Sequence, residues 1–449
     1  MEYITLQNQH YAYTMIEENG ELRHLSFLPA GYDKQLNPDK TFQRTWPHSP
    51  EAVIVVNSES YMQPHGKRAY FGGVSQRSRF VGREEVKVKG GVDHIMILSD
   101  PETRLETRLH YIVYDDSPAM HRYTELVNRG QDEIVVNHVS SFCLGNFPYF
   151  TDDMMKLKLH RFRSCWIYEG NHYVNSLPEL EVYRDSRNAF VVESVGTWVC
   201  KDHIPFFIIE QENEKLFTAV QIEISQSWRF ELGNGEPRPT GAWLYAQGGL
   251  GNETHSGWSC VLKPGDAFVS PKVSLAVAEG TYEKALNMMH SHREKVLIHR
   301  SQGDRDFPVI YNDWLYLMGK NNEQAILRQL DTLQENGVEV YVTDDGWHVP
   351  ESLSLWDGLG QWEPDKKRFP HGLKYVADAI KSHGMKPGIW CEIEGIGSKA
   401  EHYHDESMLL MRNGHFVTDA GHRFLNFTKP KVREYADKIF DRFAEWGFE

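Results

Sequence analysis

The sequence predicts a large antiparallel β-sandwich followed by an incomplete (β/α)8 barrel, a β + α/β chain. Three observations carry this reading. Polar and apolar residues alternate with period two through much of the first 280 residues, as in "TRLETRLHYIVY" (Thr103–Tyr114). Helical spacing appears only after Gly280, and from residue 306 short apolar runs alternate with amphipathic helices. The 449 residues, 40% of them hydrophobic, are more than one small core uses, so more than one domain is expected.

Residues 1–280 contain the strand candidates "AVIVV" (Ala52–Val56), "EIVVNHVSSF" (Glu133–Phe142), "AFVVESV" (Ala189–Val195) and "FTAVQIEIS" (Phe217–Ser225). Turn clusters such as "NRGQDE" and "GNGEPRPTG" punctuate them. So many strands over so long a stretch point to a sandwich rather than a small barrel. Residues 281–305 read as a linker helix, with Ala285, Leu286 and Met289 at helical spacing. Residues 306–449 then give strand 308–313, helix 322–337, strand 338–345, helix 372–384, strand 386–394 and helix 430–447. Two of these helices run into a glycine and then an extended run, the expected stop before a strand. Alternating βα units imply a parallel sheet. A full barrel takes about 250 residues, so the expectation is three βα units, with the chain stopping before strand four.

In such a barrel the chemistry sits at the carboxyl ends of the strands. Here three consecutive strand ends are polar: Asn312 and Asp313, Asp344 and Asp345, Glu392 and Glu394. One Asp before Gly is an ordinary turn residue; three such ends in a row point to a polar ligand site. Trp347, Trp356, Trp362 and Trp390 gather on the same loops. Carboxylates accept hydrogen bonds from vicinal hydroxyls while an indole covers a C–H face, a combination suited to a sugar.

Other classes are disfavoured. A net charge of −15 opposes binding to nucleic acid or acidic membranes. No apolar run is long enough to span a bilayer, and the first residues lack a basic and apolar leader. Five scattered cysteines give neither a disulfide framework nor a CxxC site, so a soluble cytoplasmic protein is expected. "HSH" (His290–His292) and "HYHD" (His402–Asp405) lack a third ligand at ordered spacing; solvated histidines and no metal are expected. No GxGxxG, Walker A, GxSxG or HExxH pattern occurs, and no cofactor is expected.

Taken in order, "YVTDDGW", "GQWEPDKKRFPHGL", "GMKPGIWCEIE" and "RFLNFTKPKVREY", with "LHRFRSCWIYEG" (Leu159–Gly170) upstream, resemble glycoside hydrolase family 36, the α-galactosidases. The resemblance spans both regions. It implies a β-supersandwich domain before the barrel and retaining hydrolysis of terminal α-galactosides. Asp344 and Asp345 would hold galactose hydroxyls at C4 and C6, Trp166 and Trp390 would wall the pocket, and Arg423 would be a sugar-binding arginine. The sequence departs from the family at Asn426, where Asp is usual, at Gly395 and at Cys391. The family's nucleophile and acid/base would lie downstream of Glu449, leaving no catalytic residue within this chain. Glu392 and Glu394, expected on one strand face, would meet a sugar from one side only. Double displacement instead needs two carboxylates flanking the bond, about 5–5.5 Å apart. The expected partner is a small galactoside, with self-association through the β-domain. A non-catalytic carbohydrate-binding or assembly fragment, an α-N-acetylgalactosamine preference and transfer of galactose are the alternatives.

Overall fold

Strand alternation is expressed as three antiparallel sheets in the first of two units, Met1–Leu297 and Ile298–Glu449. The computed structural model describes residues 1–32, 36, 50–57, 59, 73–151, 153–183, 188–196, 198–234, 244–296, 306–419 and 421–449. A ten-stranded sheet runs from Tyr168–Ser176 at one edge, through Leu216–Glu223, Lys272–Glu279 and Ala119–Asn128, to Arg79–Val88 at the other. A six-stranded sheet is built around Ile134–Phe147, and a three-stranded one comprises Glu2–Gln7, Tyr11–Glu18 and Glu21–Pro29. Their inner faces share one core, to which Tyr13 and Phe27, Phe142 and Phe230, and Leu109, Phe207 and Leu275 contribute.

One charge pair is sealed inside this core. Arg122 and Glu51 have fully buried side chains 3.0 Å apart. Tyr13 and Tyr111 donate hydroxyl bonds to Glu51 Oε2 at 2.7 and 2.6 Å. Burial pushes the Glu51 carboxyl up, while the Arg122 charge and both hydroxyls oppose that shift. The outer face of the ten-stranded sheet is lined by Ala119, Ala219, Ala276 and Ala278, small enough for a helix to lie close. That helix, Tyr282–Val296, occupies the expected linker; residues 297–305 and most of the "GNGEPRPTG" turn lie outside the described residues.

The second unit contains a parallel sheet in the order Ile310–Asn312, Val340–Thr343, Lys386–Ile389. Asn312 is in register with Val342, and Thr343 with Ile389, so the three carboxyl ends are level. Helix Gly372–Ser382 buries Leu373, Val376, Ala377 and Ile380; helix Pro430–Trp446 buries Val432, Ala436, Ile439 and Phe443. The second starts with Pro at its first turn and stops at Gly447 in the left-handed region, so the sequence signals at both ends hold. Beyond it, Glu449 N donates to Pro387 O on the third strand at 3.0 Å.

Two expectations need correction. The helix expected over 322–337 is two short helices, Glu323–Leu327 and Leu330–Glu335. The Gln329 side chain donates to the Ala325 carbonyl at 2.8 Å, and its own N–H turns to Ile326 O instead, which tightens the chain and breaks the helix. The third strand ends at Ile389, not at residue 394. Trp390 N makes the last ladder bond, to Thr343 O, and the Trp347 indole takes the Trp390 carbonyl at 3.0 Å. Glu392 and Glu394 therefore leave the strand and sit at a turn closed by Gly395 N donating to Glu392 O.

Candidate functional site

Three carboxylates converge where the first two parallel strands end. Asp313 follows the first strand, and its Oδ1 accepts the Asp344 N–H at 2.9 Å. Asp344 Oδ1 accepts from Asp345 N at 2.8 Å, and its Oδ2 accepts from the Asn312 amide. Asp345 Oδ1 accepts from Gly346 N at 2.6 Å and lies 3.1 Å from His348 Nε2. No hydrogen bond to Asp345 Oδ2 is found among the described residues. Asn321, fully buried, donates to the carbonyls of both Asp344 and Asp345, at 2.6 and 3.0 Å, and so fixes the backbone that presents the pair. Gly346 is required at the next position. Its φ is +104°, and a Cβ there would stand 2.3 Å from Gly319 O.

All three Asp residues are buried, and no Lys or Arg among the described residues pairs with them. Burial of carboxylates without a cation is costly unless their lone pairs meet donors. Asp313 shows the cost: burial, with the Asp344 charge adding to it, pushes its carboxyl up to about 6 despite the Asp344 and Tyr341 hydrogen bonds. Glu392 is pushed up to about 7, first by burial and then by the charges of Glu394, Asp345 and Asp419. The Asp345 contribution places the third strand end in the same electrostatic field as the second. His422 Nε2 lies 3.6 Å from Glu392 Oε1, and Trp356 stacks flat on His422 with ring centroids 5.3 Å apart.

The Glu392 shift has a measurable consequence. As pH rises from the unfolded value near 4.5 toward 7, the unfolded chain loses this proton first, so native stability falls through that window. Glu392→Gln is therefore expected to stabilise the chain by about 1–2 kcal/mol at pH 8 and by little at pH 4. Urea unfolding at the two pH values measures the difference. Equal effects at both would place the Glu392 carboxyl in water.

Of the residues expected at the site, Asp344, Asp345 and Trp390 come together. Trp390 continues directly from the third strand, and its ring meets Trp362 edge-on at 6.1 Å. Arg423 makes its contacts elsewhere. On the short strand His422–Phe424 successive side chains project to opposite sides, and His422 takes the side facing Glu392. The Arg423 guanidinium lies between the Tyr403 and Phe416 rings, 4.0 and 3.8 Å from their centroids, and donates to Tyr403 O. Trp166 belongs to the first unit, at the hairpin tip between Leu157–Cys165 and Tyr168–Ser176, where it is 59% exposed. Trp347 and Trp362 are fully buried and belong to the core of the second unit rather than to a binding wall. No sequence pattern marks His348 or Asn321. His348 replaces no periodic signal, and Asn321 reaches the Asp pair from a loop more than twenty residues away.

Residues 267–445 match the Melibiase family model. The chain is 25% identical to α-galactosidase Mel36A of Lactobacillus acidophilus over 456 residues, covering 90% of this chain and 57% of that protein. It is 26% identical to the probable α-galactosidase C of Aspergillus terreus, covering 77% of this chain and 45% of the other. The fold superposes on the GH36 α-galactosidase AgaA of Geobacillus stearothermophilus with a TM-score of 0.75 at 17% identity, covering 99% of this chain and 64% of that one. The chain thus spans roughly half to two thirds of the length of these relatives.

Proposed function

We propose that this chain belongs to the GH36 α-galactosidases and forms the galactose-holding part of a retaining α-galactosidase, a reading supported by its Melibiase segment, its α-galactosidase relatives and its fold. The observation that carries the reading is the buried pair Asp344–Asp345 at the end of a parallel strand, with no Lys or Arg paired to it among the described residues. A terminal galactose presents hydroxyls at C4 and C6 that can donate to the lone pairs left open there. Each such bond to a carboxylate is charge-assisted, worth about 1.5–3 kcal/mol in a dry site. Trp390, which continues from the third strand, is read as a wall of the pocket.

The double displacement needs a nucleophile and an acid/base on opposite sides of the glycosidic bond. Glu392 and Glu394 occupy one turn and do not flank a bond, so both catalytic carboxylates are assigned to the part of the relatives' length that this chain does not span. No helix among the described residues is long and apolar enough to cross a membrane. All five cysteines are free, which fits a reducing, cytoplasmic setting. The exposed tip Trp166–Tyr168 offers an apolar surface for self-association through the β-unit.

The test is the stereochemistry of the complete enzyme. Proton NMR of p-nitrophenyl α-galactoside hydrolysis is expected to show α-galactose appearing first. β-Galactose as the first product, or faster cleavage of the α-glucoside, would contradict the proposal.

A further inference from the structure

Helix Tyr282–Val296 lies on the alanine-lined face of the ten-stranded sheet, with Ala285 buried against it. Seven residues on, at the same helical phase, His292 also points into the sheet and is buried. Strand alternation brings three more side chains to that face: His121 two residues after Ala119, Ser274 two before Ala276, and Glu223 four after Ala219. His121 and Ser274 are direct cross-strand partners. His121 Nε2 thus lies 3.0 Å from Glu223 Oε1 and 3.2 Å from His292 Nε2, and the three ligand atoms are all within 4.8 Å of one another.

We propose that His121, His292 and Glu223 bind a divalent metal ion of the zinc type that clamps this helix to the sheet. Zinc held tetrahedrally by imidazole nitrogen and carboxylate oxygen at about 2.0–2.1 Å sets neighbouring ligand atoms about 3.3 Å apart. Both short separations lie near that edge. The outer ring nitrogens are held as metal-bound imidazoles require: Tyr114 OH is 2.7 Å from His121 Nδ1, and Ser117 Oγ is 2.7 Å from His292 Nδ1. With each Nδ1–H donated to its hydroxyl, both Nε2 lone pairs converge on one point. Ser274 Oγ also bonds the Glu223 oxygen and fixes its orientation. The Glu223 side chain is 38% exposed, which gives an ion a route from solvent and leaves the fourth position to water. His292 thereby departs from the solvated histidine expected from "HSH"; its partners come from strands distant in sequence. The site lies within the first unit and is independent of the sugar-site reading.

A hydrogen bond between the two rings, with a second from His121 to Glu223, would give the same spacings without a metal. Zinc titration of the tag-free, chelator-dialysed 449-residue chain separates the two, with Co2+ absorption as a second probe. The expected result is one equivalent bound with a Kd below about 1 µM, a tetrahedral cobalt spectrum and a higher melting temperature with zinc. His292→Gln and Glu223→Gln should each weaken binding by roughly 100-fold, and Tyr114→Phe by about 10-fold. If His292→Gln does not fold, Glu223→Gln decides, because its side chain reaches solvent and circular dichroism can verify its fold. Absence of one-equivalent binding, or binding unchanged in Glu223→Gln, would overturn the proposal and leave a hydrogen-bonded His–His–Glu relay.

Discussion

Asp345→Asn is expected to lower kcat/KM for an α-galactoside by roughly 10²–10³-fold in the complete enzyme, with the fold intact. The argument starts from its two oxygens. Oδ1 is fully used by Gly346 N and His348. Oδ2 has no hydrogen bond among the described residues, so it is the oxygen offered to a ligand. An amide nitrogen placed there clashes with no donor but cannot accept from a sugar hydroxyl. The loss is that of charge-assisted bonds realised in a dry pocket, about 3–4 kcal/mol in all. Asp344→Asn is a less clean probe. Both Asp344 oxygens already accept from the protein, from Asp345 N and Asn312, so an amide must face one of those donors. That variant should lose a comparable factor in kcat/KM and about 1–2 kcal/mol of stability as well. Steady-state kinetics beside thermal melts separate the cases. A lowered melting temperature with unchanged kcat/KM in Asp345→Asn would make that residue a structural turn acid.

The strand-end acids were legible because each follows an apolar run and, for Asp345, precedes a glycine that the backbone needs at positive φ. Period-two alternation likewise exposed the strand Leu105–Tyr114, and Pro430 and Gly447 bracketed their helix. What the sequence hid depends on side chains competing for backbone groups. Gln329 breaks a helix by capturing the Ala325 carbonyl, and Trp347 ends a strand by capturing the Trp390 carbonyl. Neither event changes the hydrophobic pattern. An indole near a strand end also reads the same whether it fills a core, as Trp347 and Trp362 do, or lines a site. Contacts between distant segments left no local trace at all: Asn321 on the Asp pair, and His121 beside His292.

The second large effect concerns the chain by itself, which is expected to bind an α-galactoside and not to cleave it. Binding groups that hold substrate and transition state alike give affinity without rate. The rate requires a nucleophile and an acid/base about 5–5.5 Å apart across the bond. Asp313 Oδ1, both Asp344 oxygens and Asp345 Oδ1 already accept bonds from the protein, Asp345 Oδ2 is read as holding a sugar hydroxyl, and Glu392 and Glu394 share one turn. Without such a flanking pair, most of the enhancement of an ordinary glycosidase, 10⁶-fold or more, is absent.

Saturation-transfer NMR of the 449-residue chain with intact p-nitrophenyl α-galactoside tests both halves of this claim in one sample. Transfer to the galactosyl protons, strongly reduced by Asp345→Asn and weak for the α-glucoside, with no nitrophenol released over hours, is the predicted result. Equal transfer to both sugars, or release of nitrophenol at an enzyme-like rate that Glu392→Gln abolishes, would contradict it.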